Sequence, residues 1–251
     1  MSRDKTRLYV LAAALILWLP LSAPAAAPAV KLDRAPININ DQESLQRGAR
    51  IFINYCLNCH SASYMRYTRL TDLGLTEAQI KENLMFAADK PGETMTVAMR
   101  AKDAKEWFGA APPDLTVITR SRGPDWVYTY LRTFYRDDTR PLGWNNLVFD
   151  KVGMPHVLHE LQGHLVPVMQ EVKGEDGKMH HVVARLELAK PGRLTPAEYD
   201  ALVADLVNYM TWMGEPAKAQ RMRTGVAVIA FLALFFVVAF YLKKEYWRDV
   251  H

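Results

Sequence analysis

The chain has 251 residues, half of them hydrophobic, and a formal charge of +4 from 31 Lys and Arg against 27 Asp and Glu. So small an imbalance leaves no electrostatic footprint for nucleic acid, and it falls to about +2 once Arg3, Lys5 and Arg7 against Asp4 are set aside. Two cysteines exclude a four-sulfur zinc site, and the length left after both apolar ends suits one domain with a substantial core.

Residues 1–27 have the parts of a secretory signal: a basic start, an apolar run from Leu8 to Leu21 broken by Pro20, and small residues Ala23, Ala25 and Ala27 for cleavage between Ala25 and Ala29. Residues 28–40 read as an extended arm. Asn40 or Asp41 then caps a helix running through Ser44 to Tyr55, with Leu45, Ala49, Phe52 and Ile53 on one stripe. Gly48 inside that stripe costs helix propensity, so a close helix crossing is expected there.

Thr76 and Gln79 form a capping box for a helix expected to end near Ala88, with Pro91-Gly92 beyond it. An irregular stretch with short helical turns follows to Ala111. A further helical pattern covers Asp125–Phe134, with Trp126, Val127, Tyr130, Leu131 and Phe134 inward. Residues 140–162 read as a long link. Leu165–Val172 and Val182–Leu188, separated by Gly174-Glu175-Asp176-Gly177, read as a small β-hairpin in a mainly α domain. Pro196–Met213 is a strong helix placed to cross the one that starts near Ser44.

Gly225–Leu242 is 18 uncharged apolar residues, about 27 Å of helix at 1.5 Å per residue, close to the thickness of a bilayer core. With Arg221 and Arg223 before it and Lys243, Lys244, Tyr246, Trp247 and Arg248 after it, residues 221–242 read as a transmembrane anchor. The signal sets the direction. Residues 28–220 would lie outside and residues 243–251 in the cytoplasm.

The chemistry centres on Cys56-Leu57-Asn58-Cys59-His60. In an exported chain, C-x-x-C-H is the pattern of covalent c-type haem attachment: each thiol can form a thioether to a vinyl group and the adjacent histidine can bind iron. A bare dithiol and a partial metal site are the alternatives. Tyr64 and Tyr67, just beyond, suit either a haem wall or an ordinary core. For the sixth iron position, Gly153-Met154-Pro155 offers a thioether on a restrained loop. Met65, Met85, Met95, Met99 and Met169, or His156, His159 and His164, remain rivals.

The mature chain resembles the bacterial form of the cytochrome c1 family, the haem-bearing subunits of ubiquinol–cytochrome c oxidoreductase. The resemblance rests on Cys56, Cys59 and His60, on Ala111-Pro112-Pro113-Asp114-Leu115, on Gly153-Met154-Pro155, and on Trp212-Met213-Gly214-Glu215-Pro216 with the basic residues before the anchor. It implies a class I cytochrome c-like haem domain with insertions and one covalently attached haem c. It also implies His60 and Met154 as iron ligands, Pro113 in the haem pocket, and a propionate-binding arginine at Arg122, with Arg120 its neighbouring rival. The implied partners are cytochrome b, the Rieske iron–sulfur subunit and a cytochrome c acceptor, in a dimeric complex of the bacterial inner membrane with the haem domain in the periplasm. The alternative is a generic membrane-tethered cytochrome serving a terminal oxidase. The chain departs from the family's mitochondrial members at Gly143–Phe149, and it carries Trp126 near a position where the family often has tyrosine.

Overall fold

The computed structural model describes residues 30–173 and 179–249; the signal reading, the 174–177 turn and the last two residues lie outside them. From Leu32 onward the chain forms one compact unit. Its first stretch is the expected arm, and polar side chains of distant helices pin it down. The Asp33 and Ala35 amides donate to Thr129 and Asp125, and the Asn38 amide donates to Asn208.

Helix α1 spans Gln42–Ile51, capped by the Asp41 carboxylate, which accepts from the Ser44 amide. The expected helix to Tyr55 does not stay α. Phe52–Cys56 forms a π turn, with the Leu57 amide donating to the Phe52 carbonyl at 3.0 Å. Strand β1 (Ala62–Arg66) and a 3-10 segment (Tyr67–Leu73) follow. Helix α2 (Glu77–Asn83) has the expected capping box but stops well before Ala88, because Leu84 leaves the helical conformation to bury its side chain in the core. Strand β2 (Thr94–Met95) pairs antiparallel with β1, and helix α3 covers Ala101–Phe108.

Helices α4 (Ile118–Arg122) and α5 (Pro124–Arg132) are separated only by Gly123. Phe134, expected on the helix, instead starts strand β3 (Phe134–Arg136), which pairs antiparallel with β4 (Trp144–Asn146) inside the expected link. The reason is Asn146. Its buried side chain donates to the Tyr130 carbonyl at 2.7 Å and accepts from the Val148 and Phe149 amides, so it ends α5 and folds back the next loop. A short helix α6 (His159–Gln162) leads into the hairpin of β5 (Gly163–Lys173) and β6 (Met179–Pro191). That hairpin is longer than expected, its pairing running from Gly163 opposite Pro191 to Lys173 opposite Met179.

Helix α7 (Pro196–Gly214) carries a Thr195–Glu198 capping box and crosses α1 at the expected glycine. A Cβ on Gly48 would lie 2.1 Å from the Asp205 carbonyl oxygen and 2.6 Å from Tyr209 Cβ. Leu45, Ala49 and Phe52 of α1 and the π turn bury against Val203, Leu206 and Tyr209. Arg47 makes a two-point ion pair with Asp205 at 2.6 and 3.0 Å beside the crossing. Helix α8 spans Lys218–Tyr246. Within Gln220–Tyr246 the most apolar 18 residues have mean hydropathy 2.7 and none of them is buried, so by length and composition the helix can cross a membrane.

Candidate functional site

The π turn delivers the thiols to one wall of an apolar cavity of about 330 Å³. Cys56, Cys59 and His60 face into it, closed into a tight turn by the Cys59 and His60 amides, which both donate to the Cys56 carbonyl. The Cys56 thiol is buried and pushed up to about 12, and burial also raises Cys59, so both stay protonated at neutral pH.

The Pro-Pro segment forms a second wall and orients the histidine. His60 Nδ1 lies 2.7 Å from the Pro113 carbonyl. A carbonyl can only accept, so Nδ1 carries the proton and Nε2 keeps its lone pair, the state a metal requires. Burial pushes the imidazole below its ordinary value, against weaker pulls from Pro113 and Asp114, and so keeps it neutral. The carbonyl is itself held in place. The Leu115 amide donates to the Ser61 carbonyl at 2.9 Å. The Asp114 carboxylate accepts from the Ser63 amide at 2.7 Å and from Thr116 at 2.8 and 2.6 Å. Burial would raise the Asp114 carboxyl, but these hydrogen bonds outweigh it and hold it below the usual range.

Helix α5 with the end of α4 forms the third wall. Arg122, Trp126 and Tyr130 recur every four residues and all line the cavity. The Arg122 guanidinium lies 5.3 Å from the Trp126 ring centroid, and Trp126 stacks on Tyr130 at 4.9 Å and 11°. Arg120 points elsewhere. It does not line the cavity, and its aliphatic stem runs beside Gly214 at the end of α7.

The loop through Gly153-Met154-Pro155 closes the fourth side. Of the methionines weighed from sequence, only Met154 lines the cavity. Met65 and Met95 are buried in the core, Met85 packs against it, and Met169 is exposed on the hairpin. Met99 is not among the lining residues either. The cavity holds a second thioether that the sequence suggested only as part of an inward stripe, Met210 of α7.

The three histidines also lie elsewhere, gathered around Trp144 at ring separations of 5.1 to 5.8 Å. His156 stacks on Phe134, where burial lowers it to about 3. Tyr67 proves to be a core residue and Tyr64 an exposed one, and neither lines the cavity. Tyr130 was legible as part of an inward stripe but not as a site residue. Its four-residue spacing from Trp126 was the available signal.

Two thiols, an imidazole with a free Nε2 and a thioether facing one apolar cavity fit a covalently held haem c. Among the described residues, no group of three or more His, Cys, Asp or Glu is arranged to hold a metal ion, so a zinc site has no companion ligands here.

A model of the cytochrome C1 family matches residues 33–250. A cytochrome c1 of Allochromatium vinosum is 49% identical over 95% of this chain and 98% of its own length. A protein of Nitrosomonas europaea named ammonia monooxygenase gamma subunit is 50% identical over 94% of this chain and 96% of its own. A mitochondrial cytochrome c1 of Arabidopsis thaliana is 25% identical over 82% of this chain and 67% of its own. The chain belongs to the cytochrome c1 family, membrane-anchored electron-transfer subunits of the bc1 complex that carry covalently bound haem c.

Proposed function

We propose that this subunit takes an electron from the Rieske iron–sulfur protein and passes it to a cytochrome c. In this reading Cys56 and Cys59 hold the haem by thioethers, while His60 Nε2 and Met154 Sδ bind its iron. The observation that carries it is the convergence of these four side chains on one cavity, with His60 Nδ1 committed to Pro113. When bound, the haem supplies a one-electron couple and no bond to a substrate is made or broken.

The protein's own contribution is positional and electrostatic. The Pro113 carbonyl holds the imidazole in one tautomer, and the apolar lining excludes water. The Arg122 guanidinium, braced on Trp126, offers a fixed fork of donors to a propionate carboxylate. Arg122 is preferred to its neighbouring rival Arg120 because it lines the cavity, whereas the Arg120 stem packs beside Gly214.

Residues 28–220 form the periplasmic haem domain after cleavage of residues 1–27, residues 221–242 the anchor in the inner membrane, and residues 243–251 a cytoplasmic tail. Cytochrome b packs against the anchor, and the assembly is a dimer. The exposed apolar surface of α8 and the basic and aromatic residues flanking it support the anchor, while the sidedness rests on the N-terminal signal and the cytochrome b contact and dimer on membership of the family.

The test is purification of the full-length chain from membranes, with haem staining on a denaturing gel and identification of the subunits that copurify. The expected companions are a b-type cytochrome and an iron–sulfur protein, with quinol–cytochrome c oxidoreductase activity. Copurification with a terminal oxidase or a monooxygenase in their place would overturn the assignment.

A further inference from the structure

We propose that Tyr130 is a positioning residue for Met154, donating its hydroxyl hydrogen to the sulfur and thereby setting how strongly that thioether binds iron. The proposal rests on the reading of Met154 as the iron ligand. Tyr130 Oη lies 3.4 Å from Met154 Sδ, within hydrogen-bond range for sulfur. A thioether sulfur has two lone pairs. One can accept the hydroxyl hydrogen while the other remains for a metal.

The phenol ring is fixed on three sides, which separates this contact from a chance approach. Trp126 stacks on one face at 4.9 Å, and Arg122 lies over Trp126 in turn. Phe134 meets the ring edge-on at 5.0 Å and 70°. The Tyr130 carbonyl accepts from buried Asn146, which anchors the backbone beneath the ring. A phenol keeps its hydrogen across the physiological range and so can donate it.

The direction of the effect follows from electron density. A hydroxyl hydrogen on sulfur withdraws density from the lone pair offered to iron. Ferric iron, the more electron-poor state, loses more from that withdrawal than ferrous iron. The hydrogen bond therefore favours the reduced form, and its loss favours the oxidised form. The expected scale is roughly a threefold to tenfold change in the redox equilibrium constant, about 0.65–1.4 kcal/mol, which lies within the net worth of one hydrogen bond.

Tyr130→Phe keeps the ring, the stack on Trp126 and the edge contact with Phe134, and removes only the hydroxyl. In the full-length holoprotein it should retain covalent haem and lower the midpoint potential by about 28 to 59 mV, the threefold to tenfold change converted at 59 mV per tenfold. Replacing Tyr130 with 3-fluorotyrosine makes the hydroxyl a stronger donor without disturbing the fold, and should move the potential the opposite way. A structural role alone predicts no such opposed pair of shifts.

If both proteins stay within twofold of the wild-type equilibrium constant while the ferric spectrum keeps its methionine–iron charge-transfer band, the proposal is overturned. A wild-type spectrum without that band would instead remove Met154 as the ligand, so the two readings fail separately.

Discussion

Gly48→Ala perturbs the contact that carries the attachment motif to its cavity. The added Cβ would sit 2.1 Å from the Asp205 carbonyl oxygen and 2.6 Å from Tyr209 Cβ. The closer of these is backbone, so no rotamer change relieves it, and α1 must move away from α7 by at least about 1.3 Å to reach ordinary contact distance. Overpacking of this kind costs about 1–3 kcal/mol, and the better helix propensity of alanine returns roughly 0.5–1 kcal/mol. Because the 2.1 Å clash is with backbone, the cost lies in the upper half of that range and the net is a destabilisation of about 1–2.5 kcal/mol; at about 2–4 °C per kcal/mol for a domain of this size the melting temperature should fall by roughly 2–10 °C.

The assay is thermal unfolding of the full-length haem protein in detergent, with Gly92→Ala as the control because a Cβ there meets nothing within 4 Å. Because Cys56 lies only two turns beyond Gly48, the yield of haem-stained protein should fall as well. A Gly48→Ala protein that melts at or above the wild type, beside an unchanged Gly92→Ala, would refute the close crossing.

Replacing both Cys56 and Cys59 by alanine should leave no covalent haem on a denaturing gel, since the chain has no third cysteine; a persisting haem stain would sink the attachment assignment. Met154→Leu should keep covalent haem, lose the methionine–iron band and lower the potential, because leucine fills the volume without a lone pair. Retention of both properties would move the sixth ligand to Met210, the other thioether in the cavity. Asp114→Asn should lose about 1–3 kcal/mol by weakening the charged hydrogen bonds to Ser63 and Thr116. The folded carboxyl titrates below its ordinary value, so the wild type's advantage is complete above about pH 4 and closes as acid protonates the group. A gap between the two melting curves that stays constant down to pH 2 would contradict that assignment.

What could be read from the sequence was local in origin. Asp41 and Thr76 cap the helices that follow them because a cap needs only its own next turn. Gly48 announced a crossing because a glycine in an apolar helical stripe has few other uses. The attachment motif carries its chemistry within five residues. The features that escaped reading depend on distant partners.

Phe134 leaves the helix because Asn146 caps the end of α5 from beyond the next strand. The helix after Thr76 stops early because Leu84 is drawn into the core. Arg122 and Arg120 are two residues apart in the same short helix, and only packing against Gly214 and Trp126 tells them apart. Tyr130 belongs to the site through a sulfur 24 residues away, a pairing that periodicity cannot reveal.

The π turn at Phe52–Cys56 bears on how this chain tolerates gains and losses of single residues. Phe52 and Leu57 are both buried, yet five residues at about 100° each would place them on different faces of an α-helix. The wider turn absorbs one residue more than an α turn between the same ends. Deleting one residue from 53–55 can let the segment relax to α geometry while the crossing at Gly48 and the thiol at Cys56 keep their places. Adding one leaves the turn no wider form to adopt, so the extra residue must rotate the whole attachment motif away from its cavity. Length change just ahead of the motif is therefore directional, open to shortening and closed to growth.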